Sequence, residues 1–214
     1  KRQADSATME NKGIEHEYFS RPNDRRRGGF VESQGGGTVL LARGDIARDM
    51  GLPVLGVVAY AQSFADGAHT SIPAPGLGAL AAAQGGEKSR LARALAALDV
   101  TADQVAVLSK HDTSTNANDP NESELHERIA DELGRERSNP LLVVSQKSLT
   151  GHAKGGAAAF QIIGLTQVLR SGIVPGNRSL DCVDPALAAH SRLVWPTKLS
   201  LIHISEPTRR YAIS

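Results

Sequence analysis

Two stretches of this chain place a histidine just past a short apolar run and just before a helix, where reactive side chains are commonly held. Ser109 to Glu122 reads SKHDTSTNANDPNE, and Ser145 to Gly156 reads SQKSLTGHAKGG. A neutral imidazole in such a loop donates a hydrogen bond to a developing oxyanion or exchanges a proton near neutral pH. Lys147 precedes His152 by five residues and supplies a fixed positive charge beside it. Taken singly, His111 or His152 reads as a structural residue. The pair, on matching units of strand, loop and helix, favours a functional reading over a structural one.

Other familiar arrangements fail on spacing. His126-Glu127 is followed by Ala130, where a zinc-protease helix needs a second histidine. Gly35, Gly36 and Gly37 precede an apolar run instead of opening a helix, so they read as a packing or turn feature and not as a phosphate cradle. The sequence has neither a P-loop nor a GxSxG elbow. Cys182 is the single cysteine, so it forms no internal disulfide or thiolate cluster and fits a reducing cytoplasm. It reads as an inert thiol, and no metal is expected.

The elements that must position these residues follow from periodicity. Thr38–Ala42, Val54–Tyr60, Val105–Leu108 and Leu141–Ser145 are short apolar runs with the pattern of buried strands. Asp66 to Gly86 is rich in Gly, Ala and Pro and reads mostly as loop, with a helix over Glu87–Leu98. Leu125, Ile129 and Leu133 recur every fourth residue, which predicts an amphipathic helix over Asn121–Arg135 with an acidic start. Gly155–Ser171 is apolar nearly all round, which predicts a buried helix whose small face admits another backbone. Strands alternating with helices, with polar loops at the strand ends, indicate an α/β layered fold in one domain.

Composition bounds the rest. A chain of 214 residues with 40% hydrophobic and 22% charged residues is neither disordered, collagen-like nor a coiled coil. Its length allows a core burying roughly 70% of the unfolded surface. Aromatics are only 4% against 21 glycines, so close backbone packing carries more of that core than large rings do. A net charge of +1 gives no broad field for nucleic acid or an anionic membrane. The run Arg25-Arg26-Arg27 reads as a solvated turn. No apolar stretch approaches the ~20 residues of a membrane span. The polar start KRQADSATMENKG lacks a signal segment and an initiating Met, as expected of a piece of something longer.

The motifs themselves carry a resemblance. KHDTSTNANDPNE resembles the ketosynthase motif in which a His is followed by two Thr residues and an acidic pair. QKSLTGHAKGG resembles the downstream motif with a Lys five residues before a second His. SRPNDRRRGGFVESQGGGTVLL and IVPGNRSLDCVDP resemble further family segments in family order. The match runs over about residues 18 to 198, and the His111-Asp112-Thr113 wording is most similar to ketosynthases of bacterial multifunctional type I fatty acid synthases.

The resemblance implies the C-terminal half of a thiolase-like layered fold (αβαβα) and a decarboxylating Claisen condensation of a malonyl thioester with an acyl thioester. It assigns His111 and His152 to the thioester enolate and Lys147 to holding and polarising the surroundings of His111. Thr113 and Thr115 would hydrogen-bond the phosphopantetheine arm presented by an acyl carrier protein, with no bound cofactor. Asp119 and Glu122 read as supports of the loop and helix start. The family's nucleophilic Cys lies upstream, and its closing Gly-Phe-Gly loop should follow Trp195; neither occurs here, so the chain is expected to be inactive alone.

The implied partners are the carrier protein, the remaining ketosynthase half and other synthase domains in a cytoplasmic homo-oligomer. A polyketide or mycolate-type condensing domain is the rival enzyme, for which Gly is usual where Asp112 stands. A non-catalytic ketosynthase-like dimer partner is the rival from another class, and such proteins commonly lose the His or Lys residues present here. Residues 1–17 read as a polar leading segment and 18–198 as the ketosynthase region. Residues 199–214, ending in SLIHISEPTRRYAIS, resemble translated adapter read-through and read as a non-native tail.

Overall fold

The computed structural model describes residues 4–67, 75–197, 200 and 201. Eight α-helices are found among them: α1 (Ser6–Asn11), α2 (Gly44–Asp49), α3 (Leu77–Ala83), α4 (Arg90–Ala96), α5 (Asn118–Glu132), α6 (Lys147–Thr150), α7 (Ala157–Ser171) and α8 (Pro185–Ala188). The strands are β1 (Val107–Ser109), β2 (Leu141–Val144), β3 (Ile173–Val174), β4 (Leu193–Val194) and β5 (Ser200–Leu201).

The central sheet is parallel, in the order β1-β2-β4, with Val107 opposite Leu142 and Leu141 opposite Leu193. Parallel neighbours need a long crossover, and α5 supplies it between β1 and β2. Both faces of β2 are covered, which is why its sequence LLVV is apolar at every position instead of alternating. On one face Leu141 and Val143 pack with Ala130, Leu180, Leu187, Leu193 and Trp195. On the other, Val144 packs with Val168 of α7 and Val174 of β3. The sheet is thus sandwiched between α5 with α8 and α7, an αβα portion of the expected layering.

Strands β1 and β2 and helices α5 and α7 lie close to where periodicity predicts them. Helix α5 begins three residues earlier than expected, at Asn118, because the Thr115 hydroxyl accepts the Asn118 N–H at 3.1 Å and Pro120 falls in the first turn, where its missing N–H costs nothing. Asp66–Gly86, read as loop, contains α3 over the Ala- and Leu-rich stretch LGALAAA. The expected helix Glu87–Leu98 is divided: a 3₁₀ turn covers Gly86–Lys88, and Ser89 then caps α4 by accepting the Ala92 N–H.

Thr38–Ala42 and Val54–Tyr60 form no strand. Their side chains face solvent, with Leu40 79% and Val57 83% exposed. An apolar, β-branched run becomes a strand only when a neighbour accepts its backbone hydrogen bonds, and no described residue does so here. Helix α7 is also less buried than expected: Ile162, Ile163 and Leu169 are exposed, while Ala157 and Val168 are buried. The small face does admit a backbone. A Cβ at Gly156 would collide with the Gly35 carbonyl, and one at Gly37 would crowd Ala159 and Ile163.

The polar leading segment also folds, with Met9, Ile14 and Phe19 forming a small buried cluster. Ser200 and Leu201 pair by backbone with Ile173 and Val174; residues 202–214 lie outside the described residues.

Candidate active site

Because β1 and β2 are parallel, both release their chains at the same sheet edge, the edge at which open α/β sheets generally hold ligands. The loop after β1 carries His111, and the turn after β2 carries Lys147 and His152. The imidazoles of His111 and His152 meet edge to face, with centroids 5.0 Å apart and planes at 81°. The Lys147 ammonium donates to the His111 carbonyl and lies 3.4 Å from His111 Nδ1. All three predicted catalytic residues therefore converge.

Hydrogen bonding fixes the imidazole tautomers. The backbone N–H of Lys154 donates to His152 Nδ1 at 3.1 Å, so the proton of neutral His152 sits on Nε2. Lys147 is likewise a donor toward His111 Nδ1, which leaves the His111 proton on Nε2. Each ring thus carries its N–H on the edge away from its anchoring contact.

The segment from Ser20 to Ser33 frames these residues, a role that no periodicity announces. The His152 N–H donates to the Val31 carbonyl at 2.7 Å, and the Ser33 N–H donates back to the His152 carbonyl. Phe30 sets its ring edgewise to His152, with centroids 5.9 Å apart. The Ser20 hydroxyl donates to the Lys147 carbonyl at 2.5 Å.

Carboxylates shape the His111 loop. Glu122 accepts the His111 N–H at 2.6 Å and the Asp112 N–H at 2.8 Å. Asp119 accepts the Thr113 and Asn23 N–H groups, each at 2.9 Å. Burial, with the Asp112 charge second, pushes Asp119 up to about 7 and raises Glu122 as well. Burial also works to raise Asp112, but the Lys110 ammonium and donors from Ser145 and Asn23 outweigh it and hold that carboxyl below the usual range.

Thr113 and Thr115, expected to bind substrate, are buried and hydrogen-bond each other at 2.9 Å. The Thr115 hydroxyl also accepts the Asn118 N–H, so it holds the start of α5. Asn177 fastens the end of β2, accepting the Ser145 N–H at 2.7 Å and donating to the Val143 and Pro196 carbonyls. Asn23 and Asn177 are far from the histidine motifs in sequence; each lies in a further segment that resembles the family, but periodicity assigns neither a role.

The arginine run is not a solvated turn throughout. Arg27 is buried, donating to Asp184 at 2.7 Å and to the Asp24 and Thr115 carbonyls. Arg21 is buried between Asp24 and Asp181, and Arg26 also reaches Asp181. Charge repetition in sequence cannot distinguish a solvated face from one that meets acidic residues across the fold.

Cys182 is exposed, and its Sγ lies 3.6 Å from the neighbouring Val183 carbonyl. A cavity of about 530 Å³ lies beyond α6, lined among others by Gln146, Leu149, Phe160 and Ile173; His111, Lys147 and His152 do not line it. Among the described residues no group of three or more His, Cys, Asp or Glu is placed to hold a metal ion, and no helix is long and apolar enough to cross a membrane.

Comparison with known proteins gives consistent matches. Residues 55–181 match the family model described as beta-ketoacyl synthase, C-terminal domain. Fatty acid synthase alpha subunit stcJ of Emericella nidulans is 46% identical over 189 residues, covering 87% of this chain and 12% of that protein. Fatty acid synthase 2 of Mycosarcoma maydis is 41% identical over 186 residues, covering 87% of this chain and 5% of that protein. The chain therefore spans a small fraction of the curated relatives it matches. These relatives are fungal, so they do not support a bacterial source. In fold, the crystal structure of the ketosynthase FabY from P. aeruginosa superposes with a TM-score of 0.70 at 24% identity, covering 92% of this chain and 30% of that one.

Proposed function

Because the chain belongs to the beta-ketoacyl synthase C-terminal domain family, we propose that it forms the enolate-stabilising half of a 3-oxoacyl-carrier-protein synthase within a multifunctional fatty acid synthase. The observation that carries this reading is the convergence of two imidazoles, each with its Nδ1 facing a nitrogen donor, beside the Lys147 ammonium.

Two neutral N–H donors at one site suit a reaction that places negative charge on a single oxygen. When a malonyl thioester loses carbon dioxide, the electron pair of the broken C–C bond passes into a thioester enolate, whose charge rests on the carbonyl oxygen. His111 and His152 would both donate to that oxygen. The enolate carbon then forms a bond to the carbonyl carbon of an acyl group held as a thioester on a Cys. Collapse of the tetrahedral intermediate expels the Cys thiolate and leaves a 3-oxoacyl thioester on the carrier. Lys147 positions His111 through its carbonyl and Nδ1.

The nucleophilic Cys belongs to the remaining ketosynthase half in this reading, since the one hydrogen bond of the Cys182 thiol among the described residues goes to the Val183 carbonyl, which does not activate a thiolate. The exposed apolar residues of 39–58 and of α7 support packing against that half, and without it this chain is inactive. Further partners are the acyl carrier protein, whose phosphopantetheine arm would meet the Thr113–Thr115 loop, and other synthase domains of a cytoplasmic homo-oligomer. Residues 199–214 are proposed to lie outside the native frame.

The reading is tested by joining this chain to a nucleophile-bearing upstream half and supplying acyl- and malonyl-carrier substrates. A 3-oxoacyl product that disappears when His111 and His152 are both replaced by Ala is expected. Product formation that survives both replacements would overturn the reading.

A further inference from the structure

The two chain neighbours of His111 meet each other underneath it. Lys110 and Asp112 are 1% and 0% exposed, and Lys110 Nζ stands 2.8 Å from Asp112 Oδ1. The ammonium also donates to the Ser123 hydroxyl at 2.7 Å and to Asn23 Oδ1 at 3.3 Å, and it lies 5.9 Å from the centroid of the Trp195 ring. Asp112 Oδ2 accepts from Asn23 Nδ2 at 2.7 Å and from the Ser145 hydroxyl. Asp112 takes φ +28°, a backbone conformation that costs free energy for any residue with a Cβ.

This arrangement has a directional consequence. Past the end of β1, the positive φ of Asp112 folds the chain back so that its carboxylate meets the Lys110 ammonium. With Lys110 and Asp112 locked together on the buried face, the His111 ring is turned to the opposite one, where it meets His152 and Lys147. A buried ion pair is a poor source of net stability, since desolvation offsets most of the attraction, but its geometry is demanding. Ser145, which donates to Asp112, is also the last residue before the Lys147 turn, so the same carboxylate touches both loops.

We propose that the Lys110–Asp112 ion pair is a positioning device for His111, holding its imidazole where the enolate oxygen forms. The pair touches no substrate and acts only through His111, and the inference rests on the condensing function proposed above.

The test uses the complete synthase, with acyl loading, malonyl decarboxylation and thermal midpoint measured separately. The paired replacement Lys110→Met with Asp112→Asn removes both charges at nearly constant volume. It is expected to load acyl groups normally and to keep its KM, while kcat for decarboxylation falls by about 10-fold or more, as for a misplaced reacting group. Asp112→Gly is the second arm: Gly takes φ +28° without strain, and the same kcat loss is expected because the clamp is open. A decarboxylation rate within two-fold of the unmodified enzyme in either variant would overturn the positioning role. Failure of both variants to fold would make the pair a folding element and overturn it too. His111→Ala is run alongside: if it decarboxylates normally, the function proposed for the site falls and this inference with it. Loss in His111→Ala with normal rates in the pair variants removes the inference alone.

Discussion

His111 and His152 stand edge to face, 5.0 Å between centroids, although each belongs to a different loop at the end of a different strand. The parallel pairing of Leu108 with Val143 and of Ser109 with Val144 brings those loops level. Anchoring of both Nδ1 atoms gives the two rings a common polarity.

In the complete synthase, His111→Ala and His152→Ala should each slow malonyl decarboxylation by about 10² to 10³, the usual cost of one preorganised oxyanion donor. Acyl loading of the upstream Cys should persist. Single-turnover measurement of the two half-reactions checks this; a variant that loses only acyl loading would contradict the role given to its histidine.

Lys147→Ala should reproduce the His111→Ala defect without adding to it in the double variant, because the ammonium acts through the His111 carbonyl and Nδ1. Additive losses in a double-mutant cycle would show that Lys147 works independently.

Cys182→Ser should leave turnover of the complete synthase within a few-fold of normal, since this exposed thiol makes no contact with the site residues. Mass spectrometry of an acyl-enzyme trap should find the acyl group elsewhere. Label on Cys182, or condensation by the present chain alone, would reverse the assignment.

Two groups on α5, the buried Asp119 and the half-buried His126, should give opposing pH dependences of stability. Asp119, pushed up to about 7 by burial and then by the Asp112 charge, holds a proton in the folded state that the unfolded chain has released. Its contribution is present below pH about 4 and is lost as pH rises toward 7. His126, pushed down to about 4 by burial and then by the Lys110 charge, stays neutral where the unfolded imidazole is protonated. Its contribution is present above pH about 6.5 and is lost as pH falls toward 4. Chemical denaturation of the chain from pH 4 to 7.5 should show His126→Leu losing stability with rising pH more steeply than the unmodified chain. Asp119→Asn should shift the slope the other way; identical slopes in all three would reject both assignments.

Four elements that frame the site, and the types of its reactive residues, are legible in the sequence alone. Apolar runs at Val105–Leu108 and Leu141–Ser145 become β1 and β2, the fourfold spacing of Leu125, Ile129 and Leu133 becomes α5, and each His falls in the loop that its motif indicates. These are local outcomes, dictated by periodicity and by helix-capping residues within a few positions. Tertiary structure decided whatever depends on a partner distant in sequence. The same composition that makes β2 a strand leaves Thr38–Ala42 and Val54–Tyr60 exposed and unpaired, because a strand exists only against a neighbour. Arg27 is buried because Asp184 meets it, and Lys110 and Asp112 are buried because they pair with each other and Asn23, Ser123 and Ser145 hydrogen-bond them. A charge in a sequence carries no mark of whether its counter-charge is water or a residue far along the chain; the fold alone sets that distance, and the distance sets whether burial is tolerated.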